Sequence, residues 1–312
     1  MCCRLMVIKL KEPTPLACSN MSLSLFYLLS RWLHFAALMT LTGGAIYTTL
    51  LAPARFRPQL ARRLHRLLVA ASLLALATAI MLLVAQTGLM ADGWRDIGDS
   101  AIWQAVLQTR FGQAWQWQLL AALLGVVALS ARGQLRQWLL LLSGAGQLVG
   151  LAFVGHATML DGTAVWLQRL NHSVHLLSAA FWAGGLLPVV ILMRDMARFP
   201  AGYDAIRTLM RFSRYGHLAV ALVIISGTID AFILLPGLPP AFGRYSQLLL
   251  LKALLVAVMC GVALFNRYWL VPRFQDNGER ARYLFMLTTL AELLLAALVV
   301  ALVSFFATLE PA

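Results

Sequence analysis

Residues 171–189 read NHSVHLLSAAFWAGGLLPV. From Leu176 to Met193 the chain is apolar without a charge, about the length that crosses a hydrocarbon core as a helix. Two histidines, His172 and His175, stand at the head of that helix. Ionisable groups at membrane depth are expensive and mark functional positions by default. The stretch therefore sets two expectations, a membrane helix and a histidine site at its entry.

The rest of the chain extends the first expectation. Its 312 residues are 61% hydrophobic and 12% charged, against about 45–50% and about 25% in soluble domains. Apolar runs recur at 32–51, 67–89, 113–131, 137–155, 170–193, 215–235, 247–266 and 284–308, with no interval long enough for a soluble domain. The predicted class is an all-α, polytopic membrane protein with eight transmembrane helices, occupying residues 21–312. Residues 1–20, MCCRLMVIKLKEPTPLACSN, lack a signal-peptide core. They read as an N-terminal extension, a disordered tail or a misassigned start ahead of Met21.

The net charge of +13 reflects topology, not nucleic-acid binding. Arg55, Arg57, Arg62, Arg63 and Arg66 fall between runs one and two, Arg132 and Arg136 between three and four. Further arginines follow runs five and seven, beside Asp195, Asp204, Asp276 and Glu279. These alternate loops hold most of the 25 Lys and Arg. By the positive-inside rule they are cytoplasmic, so both termini lie outside. Trp94, Trp103 and Trp115, in and after the longest outer loop, suit an interfacial aromatic belt.

Two short matches suggest a parallel four-helix repeat. HFAALMTLTGG from His34 parallels HLLSAAFWAGG from His175, and FGQAWQWQLL from Phe111 parallels FGRYSQLL from Phe242. Gly43-Gly44 and Gly184-Gly185 then read as helix-packing positions, because small residues let membrane helices approach closely.

Sorted by side, the six histidines separate into two sets. His65 and His217 lie among cytoplasmic arginines and read as interfacial. His34, His156, His172 and His175 come from three helices, and all lie within a turn or two of the outer boundary. His172 and His175, at i and i+3, share a face. Imidazole suits copper, zinc, iron and nickel, and the thioether of Met159 favours Cu(I). Asp161 is placed to orient an imidazole. A metal site facing outward, with His34, His156, His172, His175 and Met159 as ligands, is one expectation. A b-type haem held between paired histidines such as His34 and His175 is another, and a membrane sensor or scaffold without transport a third. Asp230 and Lys252 match in depth and read as an ion pair, while Glu292 in run eight is the candidate for a charge relay. Cys260 alone among the cysteines lies within a run and supports no disulfide or CxxC motif. No P-loop, dinucleotide or HExxH pattern supports an enzyme.

RWLHFAALM, TGLMADGW, IWQAVLQTRFG, GHATMLDG, NHSVHLLSAAFWAGGLLPV, MRFSRYGHLAV and NRYWLVPR together resemble the CopD copper resistance proteins of bacterial inner membranes. The resemblance covers residues 21–312. It implies an eight-helix inner-membrane protein of copper homeostasis. It also implies a small periplasmic copper carrier, CopC, as partner beside the membrane lipid, and copper movement toward the cytoplasm.

Overall fold

The computed structural model describes residues 15–154, 163–195, 202–234, 243–274 and 278–306. Nine helices appear among them: α1 (Pro15–Ile46), α2 (Arg57–Met90), α3 (Ser100–Gln108), α4 (Arg110–Val127), α5 (Gly133–Leu151), α6 (Thr163–Asp195), α7 (Gly202–Leu234), α8 (Arg244–Phe265) and α9 (Gly278–Phe306). The eight apolar runs fall on α1, α2 and α4–α9. Six of these helices, α1, α2, α6, α7, α8 and α9, are long and apolar enough to cross a membrane. α4 and α5, with 18 and 19 residues, are shorter. α1 begins at Pro15, six residues ahead of the boundary expected at Met21.

α1 lies at the centre, packed against α2, α5, α6 and α9. Its closest approach is to α6, where the two glycine pairs meet. A Cβ on Gly43 would collide with the backbone of Gly184, and one on Gly184 with the backbone of Met39. The adjacent glycines each admit a side chain from the following helix, Leu68 of α2 against Gly44 and Phe212 of α7 against Gly185. Glycine at both crossings allows backbone contact that any side chain would prevent.

Packing on either side of this crossing fixes the two ends. Toward the arginine loops, Tyr47, Phe56, Leu60, Leu64, Leu68 and Leu192 form one buried cluster. α1 passes there into a π-helical turn, Tyr47–Leu51. Arg55 reaches the Asp204 carboxylate with two hydrogen bonds, 2.7 and 2.9 Å, and that carboxylate pushes the Arg55 guanidinium further up. Arg63 pairs with Asp195, and Arg211 donates to the Leu51 carbonyl at 2.9 Å. These contacts join the first helices to α6 and α7.

At the opposite end, Phe35, Leu38, Leu82, Trp115, Leu148 and Leu176 share a second core. Trp115 is buried there, not exposed in an interfacial belt. Its indole N–H donates to the Ala79 carbonyl at 2.8 Å, and its ring stacks on Phe111. An indole with a carbonyl partner in reach can be buried without an unpaired donor. Trp94 keeps a half-exposed position, bonded to the Ser22 hydroxyl at 2.9 Å.

Candidate functional site

A cavity of about 460 Å³ opens at the histidine end, walled by α1, α2 and α4–α9. His34, His172 and His175 all line it, with Asp230, Lys252 and Trp182. The structure thus brings three of the expected residues to one chamber. His156 and Met159, with Asp161, lie outside the described residues.

The three imidazoles are held in two different ways. The Thr78 hydroxyl donates to the Leu74 carbonyl at 2.6 Å, so its oxygen accepts from Nδ1–H of His34 at 2.9 Å. Nε2 of His34 then accepts from the Gln118 amide at 3.0 Å. His34 is 1% exposed, and both of its nitrogens are engaged.

His175 repeats half of this arrangement. The Ser226 hydroxyl donates to the Leu222 carbonyl, four residues back as in α2, and its oxygen accepts from Nδ1–H of His175 at 3.0 Å. The ring packs on Gly227, where an added Cβ would lie 3.1 Å from Cε1. His172 donates Nδ1–H to Asp230 at 2.9 Å. Asn171 holds the other carboxylate oxygen at 2.7 Å and the Ser226 carbonyl at 2.9 Å. The two rings lie nearly parallel, centroids 6.2 Å apart. Neither Nε2 has a hydrogen-bond partner among the described residues.

Sequence reasoning missed two features here. Asp230 is hydrogen-bonded to His172 at 2.9 Å, a partner the sequence did not indicate, and among the described residues it makes no direct ion pair with Lys252, although its charge still acts on that lysine. Ser226 and Thr78 carry no sequence signal, since a hydroxyl on an apolar helix usually satisfies itself on its own backbone. The chemical capacity is that of a carboxylate–imidazole–metal arrangement, in which Nδ1 partners fix the tautomer and leave Nε2 as donor. Among the described residues no group of three or more His, Cys, Asp and Glu is placed to hold a metal. The donors present are the imidazole pair.

A family profile described as copper resistance protein D-like, N-terminal domain, matches residues 21–166, and one described as copper resistance protein D matches residues 206–306. The inner membrane protein YebZ of Escherichia coli is 43% identical over 282 residues, covering 90% of this chain and 97% of that protein. The chain belongs to the copper resistance protein D family. Copper resistance protein D of Pseudomonas syringae is 29% identical over 77% of this chain and 80% of its own length. The copper transport protein CutJ of Bacillus subtilis is 32% identical over 64% of this chain, a match spanning 39% of that longer protein. No solved structure matches the chain. Within the family this member is a multi-pass helical membrane protein, with its histidine cavity between the two matched regions and α6.

Proposed function

We propose that this protein handles copper at the bacterial inner membrane, taking the ion at the histidine cavity and passing it toward the cytoplasm. The observation that carries this reading is the pair of imidazoles, His172 and His175, with Nδ1 anchored and Nε2 without a hydrogen-bond partner among the described residues. Imidazole is a good ligand for copper, and the names of the relatives support copper as the cargo. His156 and Met159, from the sequence, complete the donor set. His34 forms the facing wall and would join only by exchanging Gln118 for the ion.

The proposed setting follows the arginine loops: eight spans, both termini in the periplasm, and the histidine cavity open to a periplasmic carrier of the CopC type. The same loop polarity supports inward movement, since the cavity that receives the ion faces away from the cytoplasm. The haem alternative gains less support. A haem between His34 and His175 would break the His34–Gln118 bond and leave a buried amide unpaired, at about 1–3 kcal/mol.

The test is copper binding by the purified protein. The wild type is expected to hold copper without a haem Soret band, and His172→Ala with His175→Ala to lose the ion while remaining folded. Unchanged copper content in that double variant would remove the imidazole pair from the site, and a Soret band would favour haem.

A further inference from the structure

The charged side chains that line the histidine cavity among the described residues are Arg31, Asp230 and Lys252. With the imidazoles neutral, as ligands must be, the chamber holds two cations against one carboxylate. Both oxygens of that carboxylate are engaged, one by His172 and the other by Asn171. The Asp230 charge acts on Lys252, but the lysine makes no direct ion pair with it, nor a hydrogen bond, among the described residues. Lys252 stands about two turns into α8. On a lipid-facing surface such a side chain would extend toward the interface. This one lines the chamber instead, close enough to His175 for its charge to act on that ring.

Arg31, three residues before His34, acts on the His34 ring in the same way. One of its terminal nitrogens donates to the Tyr27 hydroxyl at 3.2 Å, while Nε is buried with no hydrogen-bond partner among the described residues. These charges oppose a bare cation. Copper on His172 and His175 would add positive charge beside two cations, and like charges repel strongly where water is excluded. The chamber is also far larger than an ion. Its 460 Å³ or so falls within the range of small-molecule sites, about 300–1,000 Å³. Ammonium and guanidinium groups are strong partners for carboxylates. Imidazole nitrogen together with carboxylate oxygen is the mixed donor set that suits Cu(II).

We propose that the histidine cavity takes copper as Cu(II) bound to a small amino-carboxylate ligand, with Lys252 holding the carboxylate and Arg31 drawing the complex in. The proposal rests on the copper reading of this cavity and names the form in which the ion arrives. An imidazole nitrogen replaces a water on copper, the copper–carboxylate bond stays, and no electron moves. Each carboxylate carried in with the ion removes one unit of the excess positive charge.

The experiment is equilibrium dialysis of the full-length protein in detergent against Cu(II) supplied as its complex with radiolabelled glycine, counting copper and glycine separately. The wild type should retain about one glycine per bound copper, held by a charge-assisted hydrogen bond. Glycinamide, which lacks the carboxylate charge, should not be retained. Lys252→Met should lower the glycine-to-copper ratio at least tenfold, and Lys252→Arg should restore it. Copper bound by the wild type without glycine, or glycinamide retained equally, overturns this proposal and leaves the copper reading in place. Those wild-type results need no variant to fold. A ratio unchanged in Lys252→Met also overturns it. Glycine retained without copper, and lost in Lys252→Met, upholds the carboxylate subsite and removes the copper reading. Retention of neither overturns both.

Discussion

The carboxylate of Asp230 holds His172 with one oxygen and Asn171 with the other. It thereby fixes a tautomer and presents Nε2 to the cavity. Removing the charge while keeping the shape isolates that role. Asp230→Asn is expected to weaken copper binding about 10–100-fold, the range for loss of a carboxylate behind a metal-bound imidazole, with the protein still folded. A competition titration reads this directly, and an unchanged affinity would show that His172 is not a ligand. The comparison with His34 supplies a second residue-scale prediction. Aligning Phe111 with Phe242, as the repeated stretches suggest, puts Leu249 where the first half has Gln118. Leu249 lines the cavity, and its apolar side chain carries no amide with which to engage an imidazole nitrogen. Leu249→Gln should reduce copper affinity at least tenfold without removing any donor, by offering that nitrogen an amide as Gln118 does for His34.

At the scale of elements, the α1–α6 crossing decides where these imidazoles sit. His34 and His175 each stand nine residues before the glycine of their helix that meets the other helix. The crossing thus sets the separation of the two rings across the chamber. Gly184→Ala would place a methyl group against the Met39 backbone, where nothing flexible can yield. Overpacking of this kind destabilises by about 1–3 kcal/mol, so a lower midpoint of thermal unfolding is expected in detergent. Gly146, which has open space around its Cβ position, is the control; Gly146→Ala should leave the midpoint unchanged. The helices and the glycine pairs were legible in the sequence because run length and residue size state them directly. What Asp230, Thr78 and Ser226 bond to was not. Those partners depend on how each helix is rotated about its axis, and a helix apolar on every face gives no periodicity from which to read that rotation. The same gap placed Trp115 in an interfacial belt when it belongs to the core.

Among the described residues, the Arg–Asp ion pairs gather at one end and the three cavity-lining imidazoles at the other. Arg55–Asp204 and Arg63–Asp195 clamp the arginine-loop end, while His34, His172 and His175 line the cavity at the opposite end. The proposed orientation makes the first end cytoplasmic. A cysteine substituted for Trp94 should therefore react with a membrane-impermeant thiol reagent in intact cells, and one substituted for Arg132 only after lysis. The reverse pattern would invert the protein and, with it, the direction of copper movement.

Trp182 gives this polarity an electrical meaning. A second cavity lies between α6, α7, α8 and α9 on the arginine-loop side, and this indole, with the Val223, Met259 and Ala296 side chains packed with it, stands between the two. A membrane potential falls where the dielectric is low, so in the proposed orientation the field would concentrate on this packed layer. A unit charge gains about 2.3 kcal/mol for every 100 mV it traverses. A monovalent ion would collect most of that energy in a single step past Trp182, and a cell negative inside would draw it inward.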